Sequence, residues 1–228
     1  MHKEASLYLP DWETLFRLVP SHYPPINLFE DVVEPADLAL VFAIESLTND
    51  RLKDQVGDLT LVSQADRISG AGSTPVMAAF THIGKASRFT DGLDYGVYYG
   101  AKELITAIKE TVHHREIFLR MTNEADTELT MRCYANKVAQ PMHDIRGEEY
   151  EDLHQENYSL PQAYGRQKRT EGSFGLVYNS VRHAGGECIA AFKPKAVTIP
   201  VQAGHYKYQW HAKEGRITNV LAVSMVDI

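Results

Sequence analysis

Residues 96–121 read GVYYGAKELITAIKETVHHREIFLRM, and no other stretch constrains the fold as firmly. Gly96-Val-Tyr-Tyr-Gly100 has the composition of a short strand closed by a turn. Beyond it, Ala101, Leu104, Ile105, Ile108, Val112 and Leu119 recur at helical spacing. That periodicity predicts one amphipathic helix reaching to about Met121.

Working outward, residues 15–19 (Leu-Phe-Arg-Leu-Val) form a short apolar run stopped by Pro20 and the Pro24-Pro25 pair, and read as a strand. Residues 27–35 read as a loop. Leu38, Leu40, Val41, Ile44 and Leu47 suit a helix over about 36–47, with a shorter helical or irregular piece at about 50–56. Residues 69–75 are glycine-rich but lack the Gly-Lys-Ser/Thr ending of a phosphate loop, and read as a plain loop. A short strand is expected at 76–81. On the other side of the central stretch, 127–135 alternates as a strand, with Leu129, Met131 and Cys133 on one side. Pro161 opens a short helix over 161–169. Further strands are expected at 175–179, 188–192, 206–211 and 218–223. Helices and strands are interspersed without regular βαβ alternation, which predicts an α+β fold.

The 228 residues read as one domain, because no Pro/Gly/Ser-rich linker divides them. Cys133 and Cys188 are too few for a disulfide framework or a cysteine zinc site, so a reducing compartment is expected. Residues 1–10 contain no signal-peptide core, and no stretch approaches a membrane span of about 18 apolar residues. A soluble, cytoplasmic protein is the expectation, with no membrane partner. The formal net charge of −7 argues against direct nucleic-acid binding. It leaves room for a small anion, since a few arginines in a cleft suffice to hold phosphates.

Ten histidines raise the question of a metal, but none forms an HExxH pattern, and the adjacent His113 and His114 diverge on a helix. No metal site is expected. Nor does a Gly-x-Ser-x-Gly elbow occur. One constellation stands apart. Arg88, Tyr99 and Glu110 follow one another at equal steps of eleven residues. Glu110 falls about half a turn from the apolar stripe of the long helix. Two accounts of it are open: a solvated glutamate, or a polar helix face lining a cleft.

Arg17 in Leu-Phe-Arg-Leu-Val, Arg88 in Ser-Arg-Phe-Thr-Asp-Gly, Tyr99 in Gly-Val-Tyr-Tyr-Gly-Ala and Glu110 in Thr-Ala-Ile-Lys-Glu come in the order of the RES-domain motifs. Ser159-Leu-Pro-Gln162-Ala-Tyr-Gly165 is similar to that family's Ser-x-x-Gln-Ala-x-Gly segment. Two later pieces, 175–180 and 186–190, extend the resemblance. It implies a compact, ADP-ribosyltransferase-like fold with NAD as substrate and no prosthetic group. The implied reaction is cleavage of the nicotinamide–ribose bond by inorganic phosphate or water. It also implies a toxin's role, with an Xre-like antitoxin blocking the active site.

On that resemblance Glu110 stabilises the oxocarbenium-like state, Arg17 and Arg88 hold phosphates, and Tyr99 orients nicotinamide or ribose. Ser159 contributes a hydrogen bond at ribose or phosphate, and Gln162 belongs to the same binding set. The chain departs from the family's compact toxins between the two arginines, where about 26–75 reads as a helical insertion. Leu18 replaces an aromatic residue after Arg17, and Phe89-Thr90 stands where many members have Trp-Asn. Two other outcomes fit the same residues: transfer of ADP-ribose to a protein, and a non-catalytic NAD- or partner-binding module.

Overall fold

A computed structural model of the chain describes residues 4–21 and 57–224. The predicted loop at 27–35, the helix at 36–47 and the piece at 50–56 lie outside the described residues. Of the predicted insertion, residues 57–75 are described, and they carry two short 3-10 turns, Leu59–Leu61 and Gln64–Asp66.

The described residues form nine strands: β1 (Leu7–Tyr8), β2 (Leu15–Pro20), β3 (Tyr98–Ala101), β4 (Thr127–Asn136), β5 (Met142–Asp144), β6 (Gly175–Asn179), β7 (Glu187–Ala191), β8 (Val201–His211) and β9 (Arg216–Val223). They join one mixed sheet in the order β1-β5-β6-β7-β3-β2-β4-β8-β9. The β5–β6 pair is parallel and every other pair antiparallel. Three α-helices accompany the sheet: α1 (Thr74–Thr81), α2 (Leu104–Thr122) and α3 (Ser159–Thr170), with a 3-10 segment at Glu148–His154. The fold is α+β, as the irregular order of elements predicts.

The central strands are buried on both faces, and their side chains sort by strict alternation. Leu18, Tyr99, Tyr178, Cys188 and Ala190 lie in one core, which also takes Ala107, Leu104 and Ile108 of α2. Leu15, Tyr98, Val177, Ile189 and Ala191 lie in the other, beneath α1. Helix α2 ends where Asn123 turns into the left-handed region at φ 51°, its N–H returning to the last carbonyls of the helix.

The expected strand at 76–81 is a helix. Its β-branched and aromatic residues suggest a strand, yet Val76, Met77, Phe80 and Thr81 are the buried ones, and that spacing is one face of a helix. Pro75 sits in its first turn, where its missing N–H costs nothing. The helix lies hard against the approach to β3: a Cβ on Gly96 would come within 2.0 Å of the Ala79 carbonyl oxygen.

Candidate active site

The loop carrying Arg88 is fixed from two sides. Tyr99 on β3 accepts the Phe89 N–H at 3.1 Å through its hydroxyl and shares a 2.8 Å hydrogen bond with Ser87 Oγ. Burial pushes the Tyr99 phenol well above its usual range, so it stays neutral. From α3, Gln162 Nε2 donates to the carbonyls of Ser87 at 2.9 Å and Thr90 at 3.2 Å. Held this way, Arg88 is 6% exposed, donates from Nη1 to the carbonyls of Leu153 and Gln155, and lies 5.0 Å over the Tyr158 ring.

Glu110 is anchored to the protein rather than left free in solvent. It is half-buried on α2, and Oε1 accepts the Ser180 hydroxyl at 2.6 Å. Ser180 is itself pinned, because its Oγ accepts the backbone N–H groups of Arg182 and His183 at 3.1 and 3.0 Å. One helical turn before Glu110, Thr106 Oγ meets His183 Nδ1 at 2.8 Å. The Ser180–His183 loop therefore runs along the polar face of α2.

Buried Tyr178, near the end of β6, lies close enough to both Glu110 and Arg88 to feel their charges. Burial raises its phenol first, Cys188, Glu110 and Tyr99 add to the shift, and Arg88 opposes it. His114, one turn beyond Glu110, is open to solvent, yet enough protein surrounds it that lost hydration lowers its pKa to about 4. His113, Arg182, Arg115 and Arg88 add to that shift. Two hollows, of about 170 Å³ beside Tyr95 and Phe192 and about 530 Å³ beside Arg67 and Lys195, hold neither Glu110 nor Arg88.

The structure thus brings Arg88, Tyr99, Glu110 and Gln162 to one side of the sheet. The Gln162 amide nitrogen is spent on the Arg88 loop, which makes it a positioning residue. Ser159 opens α3 as an exposed residue beside Tyr158, its own N–H on Asn157 Oδ1. Arg17 is on the opposite face. It shares its side of β2 with Leu15, lies 4.5 Å over the Tyr98 ring, and reaches the Tyr99 carbonyl at 3.0 Å. There it braces β3 from behind. Sequence reasoning missed Ser180, Arg182 and His114. The i, i+4 relation of Glu110 to His114 and the polar Ser180-Val-Arg182 ending a buried strand were the available signals. Among the described residues, no group of three or more His, Cys, Asp or Glu side chains could hold a metal ion. Nor is any described helix long and apolar enough to cross a membrane.

The chain is 27% identical over 200 residues to the uncharacterized protein y4oC of Sinorhizobium fredii, covering 87% of this chain and 84% of that one. The crystal structure of the M. tuberculosis MbcT–MbcA toxin–antitoxin complex superposes with a TM-score of 0.44 at 10% identity, covering 94% of this chain and 90% of that chain. The RES-domain family model matches residues 64–211, a span that contains Arg88, Tyr99, Glu110, Gln162 and Ser180 and leaves Arg17 outside, and the chain belongs to the RES-domain family.

Proposed function

We propose that this RES-domain protein is an NAD-degrading enzyme that cleaves the nicotinamide–ribose bond, with inorganic phosphate favoured over water as acceptor. The observation that carries the proposal is Glu110, a carboxylate fixed by Ser180 on the side of the sheet that also holds Arg88. Breaking an N-glycosidic bond builds positive charge on the ribose, and a preorganised carboxylate stabilises that charge. Oε1 is taken by Ser180, and Oε2 is the oxygen assigned to the substrate in this proposal. Arg88 supplies positive charge for phosphate oxygens. Nicotinamide leaves as a neutral base, so the step calls for no strong general acid. The role of a toxin, restrained by an Xre-like antitoxin seated over the cleft, belongs to the same proposal.

The test is nicotinamide release from NAD by purified protein, with and without inorganic phosphate. Phosphate-dependent release is expected, and Glu110→Gln should lower it by about 10³-fold, since that exchange removes the charge opposing the oxocarbenium ion. Full turnover by the variant would overturn the assignment. Nicotinamide release with label appearing on a protein band would move the activity to ADP-ribose transfer.

A further inference from the structure

The loop after β6 follows α2 turn by turn. His183 meets Thr106 and Ser180 meets Glu110. At the next turn the charge of Arg182 acts on His113 and His114, adding to the lowering of both imidazoles that lost hydration leads. Arg88 acts on the same His114. The Arg182 side chain is only 13% exposed. A nearly buried cation in such a place requires an anion.

Glu156 supplies one. Both of its oxygens engage both terminal nitrogens of Arg182, with Nη2–Oε2 at 2.7 Å. Tyr158 also accepts from Arg182, and Arg88 lies over the Tyr158 ring. The two partners are unequal. Arg182 is fixed beside α2 through its backbone N–H on Ser180, whereas the Glu156 side chain is 73% exposed on the segment between Glu148–His154 and α3. A fork that binds a carboxylate through two nitrogens binds a phosphate in the same way.

We propose that Arg182 is a phosphoryl-binding arginine of the cleft and that Glu156 is its resident counter-ion, displaced when the substrate's diphosphate enters. The ligand's identity rests on the NAD proposal; the displaceable anion site does not. Two arginines then flank the diphosphate, Arg88 and Arg182, both on the face that carries Glu110. Glu156 competes with substrate for one of them, so it sets the concentration at which the cleft fills.

The experiment is calorimetric titration of ADP-ribose, which retains the diphosphate but lacks nicotinamide, into the intact chain and three variants. Glu156→Gln keeps the size and removes the competitor's charge, and should tighten binding about three- to tenfold. Arg182→Gln should weaken it about tenfold or more, and Arg182→Lys should fall between, lacking the planar fork. Adding Glu156→Gln to Arg182→Gln should bring no further gain, since the competitor acts only through the arginine. Thermal melts establish that each variant is folded. Unchanged or weaker binding in Glu156→Gln, or binding within about twofold of normal in folded Arg182→Gln, would overturn the proposal. If the unaltered chain ignores ADP-ribose, the NAD reading fails, and inorganic pyrophosphate is titrated instead. The same variant pattern with pyrophosphate upholds the anion site, and no binding sinks it as well.

Discussion

A glutamate on a solvated helix face samples its rotamers freely, and catalysis by such a group loses what orientation would have supplied. The Ser180 hydroxyl, itself fixed by two backbone N–H groups, removes that freedom from Glu110. Ser180→Ala should therefore lower kcat for nicotinamide release about 10- to 100-fold with little change in KM for NAD. Ser180→Thr, which keeps the hydroxyl, should recover much of the loss. An unchanged kcat in Ser180→Ala would reduce the contact to a structural one. At this scale the sequence singled out Arg88, Tyr99 and Glu110 as candidates, because each stands in a motif with its own local signature, and the fold brings them to one side of the sheet. Arg17 stands in one too, but motif order carries no information about which side of a sheet a residue faces. Ser180 lies in the 175–180 piece of the resemblance, yet nothing local to that piece gave it a role, and only its packing against α2 makes it a partner of Glu110.

Helix α3 acts on the site through one face. Gln162 holds the carbonyls of Ser87 and Thr90, and three residues later Gly165 lets the helix backbone close on the same loop. A Cβ there would sit 2.5 Å from the Phe89 carbonyl oxygen and 3.0 Å from Phe89 Cβ. Backbone atoms cannot yield as a flexible side chain can, so Gly165→Ala should push α3 off the loop. The expected cost is about 1–3 kcal/mol in a denaturant melt. A raised KM for NAD should accompany it as Arg88 loses its support, while Ala163→Ser on the exposed face should leave both unchanged. The glycine and glutamine of the Ser159–Gly165 segment are thus docking residues. Wild-type stability in Gly165→Ala would contradict the close approach. Periodicity recovered α2, β4, β6 and the β8–β9 hairpin, where long or strictly alternating segments average out local exceptions. It failed at α1, only eight residues long and rich in strand-favouring types, and at β1 and β5, whose two and three residues are too few to show a period.

Across the whole molecule, the alternation that sorts side chains between two cores was legible, but the pairing of β3 with β7 and of β2 with both β3 and β4 was not. A period of two reports the face of a strand and not its neighbour. Burial in this fold also changes the response to acid. His113, His114, His143 and His154 all have lowered pKa values, and in each lost hydration is the leading cause, His114 reaching about 4. The unfolded imidazoles take up protons near pH 6.5, where the folded ones resist. Between that pH and about 4 the unfolded chain therefore binds more protons, and acidification destabilises the fold. The contribution is complete above the unfolded value and is lost as pH falls through the folded one. Carboxylates held low by partners, such as Glu156 and Asp144, add their own loss only below about pH 4.5, where their unfolded forms begin to protonate. Urea midpoints measured from pH 7.5 to 4.5 should accordingly decline, most steeply below pH 6.5, and His114→Gln should flatten the decline without altering the plateau. An equal slope in the variant would mean that His114 gains its proton as easily in the fold as outside it.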